Sequence, residues 1–485
     1  MIPELQKLDY KNIFYYFEEI SKIPRGSGDN QRISDYLVAF AKEHGLSYIQ
    51  DEFLNVIITK EASEGYENCP AVMIQGHMDM VCEKTPTSTH DFKTDGLELI
   101  VEGDWLRANN TTLGGDDGIA VAFGLALLAD KELKSPKLEV LITTDEETGM
   151  YGAKGLDTSV LTSKYMINVD SENDDSVLTS CAGGLTGTTT LSITRTPVMG
   201  VKVGVVLTGL RGGHSGVEIG NNRSNANKLL GRFLFDLRNT IDFDLITMAG
   251  GSKDNVITRM CESEIVVSAG DIDALNAEIK RLTEVYQKEF MASEPNLRVE
   301  TTVGEEGSYE VLSKGSFEKM LFLLMQAPYG VQAMSASIEG LVETSLNLGI
   351  FKVEEDEVTY CFSVRSSIRS AKHAISDKLQ YLSEFIGADY TVRDEYPAWE
   401  YRADSKLRDL YSSVYKEFVG NDIKIEAIHA GLECGLIYER MNDIDIISVG
   451  PNMHGIHTAQ EKLQISSSVL VYKMIERVLN DMNTI

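Results

Sequence analysis

Ala71-Val72-Met73-Ile74-Gln75-Gly76-His77-Met78-Asp79 is the stretch that decides the fold. Its apolar run is too short for a helix and ends abruptly on glycine, so it reads as a buried strand. An imidazole and a carboxylate follow at once. The same grammar recurs. LEVLIT (138–143) runs into Thr144-Asp145-Glu146-Glu147-Thr148-Gly149, and YMINV (165–169) ends at Asp170. DIDIISVG (443–450) leads into Pro451-Asn452-Met453-His454-Gly455-Ile456-His457. VIIT (56–59) is a further short apolar run. Amphipathic helices lie between the strands, at KNIFYYFEEISKI (11–23) and DNQRISDYLVAFAKEHG (29–45). GIAVAFGLALLAD (118–130) is apolar almost throughout. Strand–helix alternation with buried strands predicts an α/β fold with a mostly parallel central sheet flanked by helices.

The pattern changes after Cys181-Ala182-Gly183-Gly184. Residues 187–395 carry cleanly alternating strands such as KVGVVLTG and EVTYCFSVRSSI, separated by amphipathic helices. That is the pattern of an α+β domain with helices on one face of an antiparallel sheet. From about 400 the first style returns. The chain of 485 residues is too long for one core. It is expected to hold a discontinuous catalytic domain, 1–186 and 396–485, interrupted by an inserted domain, 187–395.

Composition narrows the partners. Acidic residues number 74 against 45 basic, a formal charge of −29, so nucleic acid and anionic lipid are poor partners. MIPELQKLDYKNIFYYFEEI does not read as a secretory signal. No apolar stretch reaches the roughly 20 residues of a membrane span. The six cysteines are dispersed, without a C-x-x-C pair. They read as free, buried thiols, and a cytoplasmic location is expected.

Ligands of open α/β sheets bind beyond the carboxyl ends of the strands. Four strands therefore deliver His77, the Glu146–Glu147 pair, Asp170, and a histidine of the His454–His457 stretch to one edge. Asp116 and Asp117, in LGGDDG, begin the apolar helix nearby. Imidazoles mixed with carboxylates suit zinc, manganese or cobalt, whereas calcium and magnesium prefer oxygen-only cages. Two ions about 3.5–4 Å apart can activate one water. A bridging carboxylate, a partner for the ligand imidazole and an unligated base would complete such a centre. A strand-end carboxylate can equally be a helix cap or a solvated loop charge, and Asp145 alone reads that way. No G-x-S-x-G elbow and no strand-linked G-x-G-x-x-G is evident.

GHMDM, LGGDDG, TTDEETG, NVDSE, GGHSG, HAGLECG and GPNMHGIHT, in that order, resemble the M20-type metallopeptidases, particularly the aminoacyl-histidine (Xaa-His) dipeptidase branch. The resemblance spans essentially the whole chain. It implies two divalent ions, zinc first and cobalt or manganese as alternatives. His77 and Asp170 would hold one ion, Glu147 and His457 the other, and Asp116 would bridge them. Asp79 would fix the His77 ring and Glu146 would be the general base. The Asp116–Asp117 peptide would be cis. The inserted domain would act as a lid. There His214 would polarise the scissile carbonyl and Arg365 would clamp the terminal carboxylate, with Arg369 as the alternative clamp. Asn255, His429 and Glu433 are further substrate-contact candidates, and His454 is left open between a supporting, a substrate-side and a plain loop residue. The implied substrate is a small dipeptide of the Xaa-His, carnosine-like kind. A homodimer through the inserted domain is expected. The alternatives are an N-acyl-amino-acid deacylase, a carboxypeptidase-like hydrolase and a non-catalytic zinc-dependent binding protein.

Overall fold

A computed structural model describes residues 2–8, 10–441 and 443–485, with only the backbone of Glu4. The chain forms two compact units. The first comprises the chain up to Cys181, Tyr401–Ala427 and Leu432–Ile485; the second is Ala182–Glu400 with Ile428–Gly431. The changeovers thus fall several residues from the expected 186/187 and 395/396. The reason is strand pairing: Gly183–Ser192 is hydrogen-bonded to Glu357–Ser366 on one side and Asp389–Tyr396 on the other.

The first unit is built on an eight-stranded sheet. Its order is Ser47–Gln50, Val56–Lys60, Leu138–Thr143, Val72–His77, Tyr165–Asn168, Asp445–Ser448, Ser176–Cys181 and Lys424–Ile428. The four middle strands, from Leu138–Thr143 to Asp445–Ser448, pair in parallel. The strands that flank these four run the other way. Val56–Lys60 joins Leu138–Thr143 antiparallel, and Ser176–Cys181 joins Asp445–Ser448 antiparallel. Four parallel neighbours bring four carboxyl ends to one edge, the arrangement the site needs.

Gly115–Ala129 packs on this sheet and is buried on nearly every side, which explains why its sequence has no polar face. Ile13–Ser21 and Ile465–Asp481 pack against it. Phe123 at its centre is fully buried and meets the Tyr472 ring edge-on at 5.3 Å. Four cysteines are buried, as read from the sequence, but Cys82 is exposed and Cys69 half-buried.

The second unit is a nine-stranded antiparallel sheet. Ala226–Leu237, Ile272–Glu289, Lys314–Gln326 and Arg369–Ile386 form a contiguous helical layer against it. The side chains facing that layer alternate along the strands, as in Val201, Val203, Val205 and Leu207. Among the described residues no helix is long and apolar enough to cross a membrane.

The buried apolar helix is the mechanical base of the first unit. Phe123→Ala is therefore expected to cost about 3–5 kcal/mol. Urea denaturation followed by far-UV dichroism checks this, through a lowered midpoint.

Candidate metal centre

The strand ends converge as the sequence predicts. His77, the last residue of Val72–His77, is 1% exposed. Its Nε2 lies 3.1 Å from Asp116 Oδ1 and 3.8 Å from Asp170 Oδ1. His457 Nε2 lies 3.2 Å from Asp116 Oδ2 and 3.0 Å from Glu147 Oε2. Asp116 thus offers one oxygen to each imidazole. Three overlapping groups each hold ligand-capable atoms within 4.8 Å of one another: His77, Asp116 and Asp170; Asp116, Glu147 and His457; His77, Glu146 and Glu147.

Local structure fixes these side chains. The Asp116–Asp117 peptide is cis, as expected from the sequence, and regular helix starts only after Asp117. Asp117 turns away from the ligand groups and accepts from the His77 backbone N–H at 3.2 Å. Asp79 faces the other side of the His77 ring, its Oδ1 3.3 Å from Nδ1. The same carboxylate accepts from Ser27 Oγ at 2.7 Å and from the Glu146 and Glu147 backbone N–H at 3.1 and 3.4 Å. Asp79 therefore ties the imidazole to the loop that carries both glutamates. Asp145 is neither a helix cap nor a solvated charge. It accepts from Gly28 N–H at 2.6 Å and Asn30 Nδ2 at 2.7 Å, anchoring that loop to RGSGDN.

Two supports were not legible in the sequence. Glu461 is buried and accepts from the backbone N–H groups of Leu113, Gly114, Gly115 and Asp116 at 2.7, 3.0, 2.8 and 3.3 Å. One carboxylate thus satisfies the orphan donors that begin the Asp116 helix. Its only sequence signal is its place four residues after His457. Arg25, also buried, donates to the carbonyls of Met78, Asp79 and Gly114 at 3.0, 3.3 and 2.5 Å. A Cβ on Gly118 would stand 2.5 Å from its Nη2, so LGGDDG needs glycine there to admit the guanidinium.

Electrostatics say what the pocket lacks. Asp79, Asp116, Asp117, Glu146, Glu147 and Asp170 crowd against two imidazoles. Burial drives Asp170 well above the usual carboxylate range, and Asp117 and Asp116 add to it. Burial lifts Asp117 likewise. Glu146 is pushed up to about 7, chiefly by burial, with Glu147 and Asp116 reinforcing the shift against His77. Burial opposes protonation of His77, but Asp116, Asp79 and Asp170 outweigh it and hold its pKa well above normal. Asp116 and Glu147 raise His457 to about 10. The imidazolium protons sit where cations belong, and metal binding would release them. A donor set of two imidazoles and several carboxylates, undersupplied with positive charge, fits divalent ions of the zinc type.

The sequence profile of peptidase family M20/M25/M40 matches residues 73–481. The chain belongs to this family. It is 34% identical over 484 residues, 99% of both chains, to the cytosol non-specific dipeptidase of Escherichia coli strain K12. The crystal structure of aminoacylhistidine dipeptidase from Vibrio alginolyticus is similar at TM-score 0.90 and 35% identity, covering 97% of this chain and 98% of that one. Aminopeptidase PepT from Bacillus cereus ATCC 10987 shares the fold, with TM-score 0.57 at 14% identity and coverage of 98% and 100%. Members of the M20 family are metal-dependent peptidases, in keeping with the donor set.

In the second unit of this M20 chain, His214 ends the short strand Gly213–His214, paired with Val256–Ile257. Its Nδ1 accepts from Gly216 N–H and Val217 N–H at 3.2 and 3.3 Å. The ring proton is thereby left on Nε2, and burial together with Arg365 lowers the pKa. Glu218 holds the His214 backbone N–H at 2.8 Å and pairs with Arg223 at 2.7 Å. Asn255 is half-buried in the adjoining loop, its carbonyl accepting from Ser215 N–H at 2.9 Å. Arg365 is buried in strand Glu357–Ser366, whereas Arg369 stands exposed at the head of a helix. His429 lies with this unit rather than the first, and is buried with Nε2 2.8 Å from Ser345 Oγ.

Two further residues lie within the first unit. Glu433 is enclosed in the first unit, where Gln75 Nε2 and Thr143 Oγ1 both donate to it at 2.6 Å. It braces two strand ends from inside. His454, exposed on a small separate sheet, lies against Trp105 with the rings tilted and their centroids 5.0 Å apart.

Metal-stripped protein carries Asp170 as an uncompensated buried carboxyl. A raised carboxyl pKa means that stability falls as pH rises through the titration. Asp170→Asn is therefore expected to raise the Tm of the stripped protein at pH 8 by about 2 °C or more. Zinc should stabilise the parent more than the variant. Differential scanning fluorimetry with and without zinc reads both signs.

Proposed function

We propose that this M20 peptidase hydrolyses dipeptides, with the Xaa-His, carnosine-like class among its preferred substrates. The observation that carries the reading is the convergence of His77, Asp116, Glu147, Asp170 and His457 around a pocket short of positive charge, with Glu146 beside them. The 34% identity to a non-specific dipeptidase across the full length supports the substrate size. His77 and Asp170 would hold one divalent ion, Glu147 and His457 the other, with Asp116 between them. Zinc is the favoured metal, with cobalt and manganese as alternatives. When bound, such ions supply a water acidic enough to act as nucleophile near neutral pH.

The protein groups have separate tasks. Glu146 is the base that accepts the water proton and later returns it to the departing amine. Asp79 keeps the His77 ring in one orientation and, through the Glu146 and Glu147 amides, keeps the base in register with it. In the second unit, His214 is a neutral Nε2–H donor suited to the oxygen of a carbonyl becoming an oxyanion. Arg365 takes the terminal carboxylate. The named relative's cytosolic placement supports a cytoplasmic location here. A homodimer is the proposed assembly.

Glu146→Ala is expected to keep two metal equivalents by elemental analysis while kcat falls about 10²–10⁴-fold. Near-normal turnover by that variant would remove Glu146 from the chemistry. A panel of Ala-His, carnosine, ordinary dipeptides and N-acyl amino acids tests the substrate class. Cleavage of the dipeptides and sparing of the N-acyl amino acids is expected. The reverse order would make the protein a deacylase.

A further inference from the structure

Gly184 and Gly431 belong to motifs, CAGG and HAGLECG, that the metal chemistry leaves unexplained. In the sheet of the second unit, Gly184 lies directly opposite Arg365 on one neighbouring strand and directly opposite Tyr396 on the other. A side chain there would separate the two. Its absence lets the Tyr396 ring lie across the intervening strand, and Arg365 Nη1 donates to Tyr396 Oη at 2.9 Å. A Cβ on Gly184 would stand 2.5 Å from Tyr396 Oη and Cζ. One on Gly431 would stand 2.7 Å from Tyr396 Cε2. Two glycines thus bound the slot that the ring fills.

Tyr396 is held at its other end as well. Its carbonyl accepts from Lys372 Nζ at 2.8 Å, and Lys372 is 1% exposed. Arg365 itself is 9% exposed, and its Nε is buried without a hydrogen-bond partner. Two histidines nearby stay neutral: burial, then the arginine's charge, lowers His429 to about 4 and shifts His214 down. A buried guanidinium with an unused donor and neutral neighbours calls for an anion.

We propose that Tyr396 is a positioning residue for specificity: seated by Gly184 and Gly431, it holds the Arg365 guanidinium in the orientation that receives the carboxylate end of a dipeptide. The proposal rests on Arg365 as the carboxylate clamp. Tyr396→Phe keeps the ring in its slot and removes the acceptor of the arginine's N–H. A hydrogen bond involving a charged group is worth enough to change affinity about tenfold or more.

The test compares L-Ala-L-His with its C-terminal amide, using metal-loaded parent, Tyr396→Phe and Arg365→Met proteins. Tyr396→Phe is expected to raise KM for the free acid about tenfold. Its kcat should stay near the parent value, and KM for the amide should barely move. Arg365→Met should abolish the preference for the acid altogether. An unchanged KM in Tyr396→Phe, or equal losses on acid and amide, overturns the positioning role while Arg365→Met still erases the preference. If Arg365→Met also leaves the preference intact, the clamp itself falls and the proposal with it.

Discussion

The site depends on negative charge held where water cannot fully solvate it. Removing a carboxylate from water is costly, and several packed together cost more unless cations or donors answer each one. At the carboxyl ends of the four parallel strands, the donors available are few and already assigned. Asp79 has Ser27 and two backbone amides, Glu461 has four, and Asp145 has Gly28 and Asn30. What remains is Asp116 and Glu147, which face the imidazoles of His77 and His457 at 3.0–3.2 Å, and Asp170, which lies 3.8 Å from the His77 ring nitrogen. Divalent ions are the natural replacement, and the M20 family's metal dependence follows from that shortage.

The supports explain why so many motif residues are needed for so few ligands. Arg25 joins the loop after His77 to the turn before Asp116. Asp79 joins His77 to the Glu146–Glu147 loop, and Glu461 joins the His457 loop to the head of the Asp116 helix. The segments that carry His77, Asp116, Glu147 and His457 are thus cross-braced by Arg25, Asp79 and Glu461. In the second unit the same economy recurs on a smaller scale, where Gly184, opposite Arg365, and Gly431 leave room for the Tyr396 ring whose hydroxyl accepts from the arginine.

The strand ends were legible because apolar runs of four to six residues stop abruptly at charged ones, as at His77, Asp170 and the Thr144–Gly149 turn. The apolar helix was legible for the opposite reason, since nothing in it faces water. The roles of the individual ligands came from motif resemblance. Arg25 and Glu461 were not legible, because their meaning lies wholly in backbone groups far away in sequence, and no local pattern reports a distant partner. The bracing contacts of Glu433 were not legible either, because Gln75 and Thr143 lie far from it in sequence. The antiparallel pairings within the first sheet escaped for a related reason: a short buried run does not say in which direction its neighbour points.

Anomalous scattering tests the central claim most directly. A crystal grown with zinc and measured at the zinc edge should give two strong peaks about 3.5–4 Å apart. One should lie among His77, Asp116 and Asp170, and the other among Asp116, Glu147 and His457. A single peak, or peaks remote from those side chains, would contradict the account.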